Sequence, residues 1–430
     1  MKIVTLSSKD SFGGAAKAAY RIHRLLLEQE IDNKFIVNSK RTKDNTVIPV
    51  SSLNKKRNYL FHLLSNLSLK RKEKERIKKW DRYLYTREDK VYIDLEISLL
   101  KNKLDTLDFD LLQLHWVGES FVNFTEFENI QVPVVWTLHD CFAFTGICSY
   151  FETCDKYKTH CGNCPFLHSG IEKDFSYEVF EQKIERYKGI DFYIVSPSKW
   201  LAREAKSSYL LRDYPITVIP NGIDSKIFFP VEKRAAKLAL GIDAEKKVIL
   251  FGGISVMKDT RKGGDLLLQS LTTLKETYSQ KDDIELIILG SESSEYDLGF
   301  KASYLGYVDN ELLMRIVYSA ADVSVVSSRY ENLPTVIMES MACGTPVTAF
   351  DIGGNSDMID HLNNGYLAKP YDTDDFADGI KYCLENNHEN KMGINGRDKI
   401  LNNFKIEDIA QQYINLYRNI LTGKKGENTI

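Results

Sequence analysis

Short apolar runs of strand length recur along this chain, separated by stretches with helical spacing. That alternation constrains the fold more than any other feature. In the first half the runs fall at 2–6, 34–37, 111–115, 132–139 and 192–196. A second series starts near Ile216 and includes 248–251, 285–289, 323–327 and 346–350. Strands that alternate with helices read as βαβ units, which bring strands side by side in parallel. The chain is therefore expected to be α/β, with one half at 1–214 and another at 215–404. A last helical segment, about 406–421, has no strand after it. The repetition is architectural, with no short-period sequence repeat.

Composition sets bounds on function. At 430 residues, a prior of roughly 150 residues per domain allows two or three domains. A charged fraction of 27% and a net charge of −3 give no electrostatic support for nucleic-acid binding. No run approaches the ~18 apolar residues of a membrane-spanning helix. The opening MKIVTLSSKD is too short in apolar residues for a signal peptide. The expected location is the cytoplasm, where the seven cysteines stay reduced. One segment, 54–80, is strongly basic: ten Lys/Arg and two Glu, with Tyr59, Leu60, Phe61, Leu63, Leu64, Leu67 and Leu69 among them. Its two readings are a peripheral contact with the anionic inner face of the plasma membrane and a solvated surface helix.

Residues 327–346, SSRYENLPTVIMESMACGTP, carry the densest chemistry. Glu331 follows an apolar run, and Glu339 stands eight positions later in a helical pattern that Pro334 can open. The unpaired N–H groups of a strand-to-helix loop suit a phosphate. A carboxylate beside them would repel phosphate but can accept hydrogen bonds from sugar hydroxyls. Together these groups describe a pocket for a nucleotide sugar. A second strand-to-helix loop, FGGISVMKDTRKGGDLL, offers Arg261 and Lys262, with Lys258 a weaker candidate. Departure of a diphosphate builds negative charge that such cations would stabilise. The first loop, SSKDSFGGAAKAAYRIHRLL, has a glycine pair that either lets backbone approach a ligand at Gly14 or serves only a tight turn. His139 ends VPVVWTLH, and His115 ends LLQLH. Each is a ligand contact or a satisfied structural residue.

The paired glutamates with ENLP and ACGTPV resemble the motif of family-4 retaining glycosyltransferases. Supporting segments are IPNGID at 219–224, LGYV at 305–308 and DIGGNSDMI at 351–359. In the last, Asp357 stands where the family usually has glutamate. The resemblance implies the GT-B architecture: two Rossmann-like domains facing a central cleft, with segment 405–430 crossing back to the N-terminal domain. It implies an acceptor-binding N-terminal domain and a nucleotide-sugar-binding C-terminal domain. The implied catalytic residues are Glu331, Lys262 and His139, the last facing the donor sugar. The implied donor contacts are Gly14, Arg261, Val308, Asn332, Leu333, Thr335 and Glu339, with Glu339 on the ribose and Val308 near the base. His115 would lie on the acceptor side. The family's usual arginine before the Lys-Gly pair is missing, since Gly253, Ile254 and Ser255 fill that region. Arg261 would substitute, or Lys262 would act with backbone dipoles alone. No catalytic metal is implied. The acceptor would be a lipid-linked saccharide of bacterial surface polysaccharide synthesis. The rivals are a nucleotide-sugar epimerase of the same architecture and a non-catalytic saccharide-binding protein.

One cluster stands apart. CSYFETCDKYKTHCGNCP places Cys148, Cys154, Cys161 and Cys164 within 17 positions. Four thiolates can surround one structural zinc tetrahedrally. The alternative is four reduced, partly buried cysteines. The insertion resembles a cysteine-rich one in a subgroup of these transferases from capsule and exopolysaccharide pathways. Cys141, Cys343 and Cys383 read as small core residues.

Overall fold

A computed structural model describes residues 1–53, 100, 104–118, 121–122, 130–252, 259–291, 293 and 297–423. The basic segment 54–80, and with it the membrane-surface reading, lies outside these residues. So does 253–258, which includes Lys258. The chain forms two compact units, 1–219 with 410–430, and 220–409.

The first unit is built on a seven-stranded sheet. Its elements are β1 (Lys2–Lys9), α1 (Gly14–Glu28), β2 (Asp32–Ser39), β3 (Val47–Pro49), β4 (Leu111–Leu114), β5 (Val134–Thr137), α2 (Phe175–Tyr187), β6 (Phe192–Ser196), α3 (Lys199–Ser207) and β7 (Ile216–Val218). The strand order is β3-β2-β1-β4-β5-β6-β7, and every pairing is parallel. Its central strands LLQL and VVWT are buried at every position, as expected where helices cover both faces of a parallel sheet.

The second unit holds α4 (Lys233–Ala239), β8 (Lys247–Gly252), α5 (Gly264–Thr277), β9 (Ile284–Leu289), β10 (Lys301–Tyr304), α6 (Glu311–Ala320), β11 (Val323–Val326), α7 (Thr335–Ala342), β12 (Val347–Phe350), α8 (Asn355–Met358), β13 (Gly365–Ala368), α9 (Thr373–Asn386) and α10 (Lys391–Asn403). Its six strands run β10-β9-β8-β11-β12-β13, again all parallel. In each sheet the order reverses once, at β1/β4 and at β8/β11. Ligands of open parallel sheets collect at the carboxyl ends of strands beside such a switch.

Two features differ from the sequence reading. Ile216–Val218, placed there at the start of the second series, pairs with β6 as the last strand of the first sheet. The chain leaves that sheet only afterwards, at Pro220-Asn221-Gly222. Gly222 packs against the segment that opens the last helix, where an added Cβ would meet Ile406 Cα at 2.7 Å. The short edge strands β3, β10 and β13 were also not anticipated.

The last helix, α11 (Ile406–Thr422), returns to the first unit as expected. Ile406, Ile409, Ala410, Tyr413, Ile414 and Tyr417 are all buried, and their spacing makes one apolar stripe. A buried tyrosine must place its hydroxyl on a partner. Tyr413 Oη lies 2.9 Å from Thr137 Oγ1, and Tyr417 Oη donates to Gln113 Oε1 at 2.9 Å. These bonds fix the helix against the ends of β4 and β5.

Candidate active site

The second unit gathers its charged groups where its sheet order reverses. Lys262 lies in the loop between β8 and α5, and Glu331 in the loop after β11. Lys262 Nζ donates to Glu331 Oε1 at 2.6 Å. The same oxygen accepts from Ser328 Oγ at 2.9 Å and from Arg261 Nη1 at 3.3 Å. Arg261 also reaches the Tyr330 carbonyl at 3.3 Å and Asp259 at 3.4 Å. Glu331 is only 7% exposed. Burial pushes its carboxyl up, but the Lys262 and Arg261 charges and the hydrogen bonds from Lys262 and Ser328 outweigh that and bring it to about 2. The carboxylate is therefore ionised, and two cations are held beside it.

Backbone packing sets this geometry. Gly263 has φ +65°, and an added Cβ would stand 2.0 Å from the Ser327 carbonyl. Gly353 has φ +53°, and its Cβ would stand 1.8 Å from the Glu331 carbonyl. Only glycine allows both the left-handed backbone and the contact. Arg329 fastens the loops further. Its N–H donates to the Arg261 carbonyl at 2.8 Å, and its guanidinium grips Asp265 at 2.7 and 2.5 Å. That planar fork matches a carboxylate's two oxygens.

Asn332 and Leu333 are buried beyond Glu331, and the Leu333 carbonyl accepts from Asn221 at 3.4 Å. Thr335 is the first residue of α7, with Pro334 before it. Glu339, one turn further, is 8% exposed, and its Oε2 accepts from Tyr318 Oη of α6 at 2.9 Å. Val308 follows β10 and packs, partly buried, against the core. Asp357 lies on α8.

The first unit places its candidates at the ends of β1, β4 and β5. Gly13, at φ +93°, takes a conformation that suits glycine, and Gly14 begins α1 exposed, with nothing within 4 Å of an added Cβ. His115 Nδ1 and His139 Nε2 are 3.0 Å apart. Burial holds both imidazoles below the ordinary histidine range, His139 at about 4, so both are neutral near pH 7. His115 is 1% exposed, so in this structure it meets His139 and presents no surface to an acceptor.

The four cysteines expected to hold zinc are free thiols. Among the described residues no group of three or more His, Cys, Asp or Glu could hold a metal ion. The thiols are close enough to hold back one another's ionisation, but burial is the larger cause of the upward shifts at Cys148, Cys161 and Cys164. The segment is ordered by other means. Lys183, 3% exposed, donates to the carbonyls of Phe142 and Thr145. Lys156 donates to those of Gly162 and Asn163 at 2.8 and 2.7 Å. Asp174 accepts from Cys164 N and Ser169 Oγ, both at 2.6 Å. Cys161 Sγ accepts from Gly146 N at 3.2 Å. Cys164 packs with Ile147, Leu167, Phe175 and Val179 in a small apolar cluster. The zinc expectation does not fit this arrangement.

Sequence reasoning missed Ser328, Arg329 and Tyr318, and it marked Gly353 only as part of the glycine pair in DIGGNSDMI, not as a contact of Glu331. Ser328 and Arg329 lie inside the motif, and adjacency to Glu331 was their only signal. Gly353 and Tyr318 are 22 and 21 positions from the glutamates they serve, and no local pattern announces such contacts.

The described helices include none long and apolar enough to cross a membrane. The family model described as Glycosyltransferase Family 4 matches residues 12–226, and that described as Glycosyl transferases group 1 matches 232–399. An uncharacterized glycosyltransferase of Methanocaldococcus jannaschii is 28% identical over 61% of this chain and 67% of its own length. WcaC of Escherichia coli, assigned to colanic acid biosynthesis as a glycosyl transferase, is 27% identical over 56% of this chain and 59% of its own. The chain spans from 32% to 67% of the length of the first curated relatives it matches. Among solved structures, sucrose-phosphate synthase from Thermosynechococcus elongatus superposes with a TM-score of 0.65 at 18% identity, covering 98% of this chain and 100% of that one. Anabaena HepE in complex with UDP-glucose gives 0.64 at 16% identity, covering 97% and 100%. These two likenesses bear on the fold, which is GT-B. With one family model spanning half of its residues and a second spanning most of the remainder, the chain belongs to glycosyltransferase family 4.

Proposed function

We propose that this protein is a retaining glycosyltransferase that moves a sugar from a nucleotide diphosphate donor to a hydroxyl of a lipid-linked saccharide in bacterial surface polysaccharide synthesis. The observation that carries this reading is the Lys262–Glu331–Arg261 cluster beside the β8/β11 switch. It holds cations for a leaving diphosphate next to an ionised carboxylate for sugar hydroxyls. The bond from the sugar's anomeric carbon to the diphosphate oxygen breaks, and its electrons leave with the diphosphate. Lys262 and Arg261 stabilise that charge, helped by backbone N–H groups around Asn332, Leu333 and Thr335. Glu331 holds sugar hydroxyls as the ring flattens, Glu339 holds the ribose, and Val308 lies near the base. The acceptor oxygen forms the new bond on the same face, and its proton passes to the departing phosphate. Within the first unit, His139 donates a hydrogen bond to a sugar hydroxyl and Gly14 offers backbone to a ligand. WcaC's assignment to colanic acid biosynthesis supports the polysaccharide setting. Action at the cytoplasmic membrane surface through 54–80 completes the proposal.

A thermal-shift screen of nucleotide sugars should find one that stabilises the protein. Its nucleoside diphosphate should then be released only when a saccharide acceptor is present, giving a product whose anomeric configuration matches the donor. Release at the same rate without acceptor would refute transfer, and an inverted product would refute retention.

A further inference from the structure

We propose that His115 is a positioning residue for His139, holding that ring as the tautomer with its proton on Nδ1. The assignment follows from a count of protons. His115 Nδ1 and His139 Nε2 are 3.0 Å apart, with ring centroids 5.3 Å apart and planes tilted by 30°. At that distance one nitrogen donates and the other accepts. A neutral imidazole has one N–H and one bare nitrogen, and burial keeps both rings neutral near pH 7. If His139 donated, His115 would have to carry its own proton on Nε2. That atom is buried and has no hydrogen-bond partner. A buried N–H without an acceptor is rare in folded proteins. If His115 donates instead, its Nε2 keeps only a lone pair, and the orphaned donor disappears. His139 must then accept through Nε2 and carry its proton on Nδ1.

His115 is anchored well enough to impose this choice. Its backbone N–H donates to the Leu6 carbonyl at 2.9 Å, and its carbonyl accepts from Trp136 Nε1 at 3.2 Å. The ends of β4 and β5 are joined a second time one residue on, where Trp116 Nε1 donates to Asp140 Oδ2 at 3.0 Å. Asp140 Oδ1 in turn accepts from Phe142 N at 2.9 Å. So His139 stands between two fixed neighbours. A ligand that takes a hydrogen bond from the His139 ring would take it from Nδ1, which a sugar hydroxyl oxygen can do. This consequence rests on the reading of His139 as a sugar contact.

The test uses the full chain labelled with ¹⁵N-histidine. His115→Phe keeps a buried ring but has no donor, while His115→Asn restores an amide N–H near the position of Nδ1. Two-bond ¹H–¹⁵N spectra should show His139 protonated on Nδ1 in the wild type, mixed in His115→Phe and again on Nδ1 in His115→Asn. Turnover should fall about tenfold in His115→Phe with the donor KM changed less than about twofold, and His115→Asn should recover most of it. His139 protonated on Nε2 in the wild type would overturn the proposal. So would a folded His115→Phe with full turnover when His139→Ala is slow. Full turnover in His139→Ala would instead reject the reading of His139 itself. If His115→Phe does not fold, the wild-type and His115→Asn spectra still decide.

Discussion

Glu331→Gln tests the central cluster most directly. The substitution keeps the shape and an acceptor oxygen but removes the charge that Lys262 and Arg261 face at 2.6 and 3.3 Å. Glu331 titrates near 2 in the folded protein against an ordinary 4.5. That difference corresponds to about 3 kcal/mol of folding stability at pH 7. It agrees with the ~3–5 kcal/mol expected when one partner of a buried ion pair is removed. For a unit of this size the melting temperature should drop by roughly 6–12 °C. The sign with pH follows from the depressed value. The contribution is fully present above about 4.5 and is lost as pH falls toward about 2. Near pH 3 it should have shrunk to roughly 1 kcal/mol, so the melting curves of wild type and variant should converge. The functional effect should run the other way for binding. With the competing carboxylate charge gone, Lys262 and Arg261 are more available to a diphosphate, so nucleoside diphosphate affinity should hold or rise while turnover falls. Calorimetry and scanning thermal denaturation at pH 7 and pH 3 give all three quantities. Equal melting temperatures at pH 7, a deficit unchanged at pH 3, or normal turnover with the true donor would refute the reasoning.

Glu339→Ala should weaken nucleoside diphosphate binding by roughly ten- to hundredfold in a folded protein, since a charged acceptor is lost. Tyr318→Phe, which removes the hydroxyl holding Glu339 Oε2, should weaken it by a smaller factor, and calorimetric affinities equal to wild type would reject the ribose role. Gly353→Ala must place a Cβ 1.8 Å from the Glu331 carbonyl at φ +53°. The left-handed backbone alone costs about 1–2 kcal/mol, so both melting temperature and turnover should fall, and parity in both would show that the loop has room. Freshly purified, unchelated protein should contain well below one zinc per chain, with Cys148, Cys154, Cys161 and Cys164 titrating as thiols once unfolded. One equivalent of zinc, released by Cys161→Ser with Cys164→Ser, would overturn the free-thiol arrangement.

Much of this protein could be read along the chain because its information is local. Parallel strands buried on both faces must be continuous apolar runs, so VSVV, IELIIL and VVWT identify themselves. Helix α11 declares its buried stripe through the spacing of Ile406, Ile409, Tyr413 and Tyr417. The paired glutamates and the Arg261-Lys262 pair were visible as chemistry because their residue types lie in strand-to-helix loops. Contacts across those loops were not visible. That Lys262 would close on Glu331, that Gly353 would press against the Glu331 carbonyl, and that Tyr318 would hold Glu339 depend on which strands become neighbours. The order β9-β8-β11-β12 sets that adjacency through pairings of residues tens of positions apart. The same reason explains the first unit's surprises. Ile216–Val218 joined the first sheet because β6 offered it an edge before the chain turned at Pro220. His115 and His139 became one hydrogen-bonded pair because β4 and β5 lie side by side and end at the same level. Composition could propose four cysteines as metal ligands, but the contacts of Lys183 and Asp174 within that segment, and the apolar cluster around Cys164, come only from the folded chain.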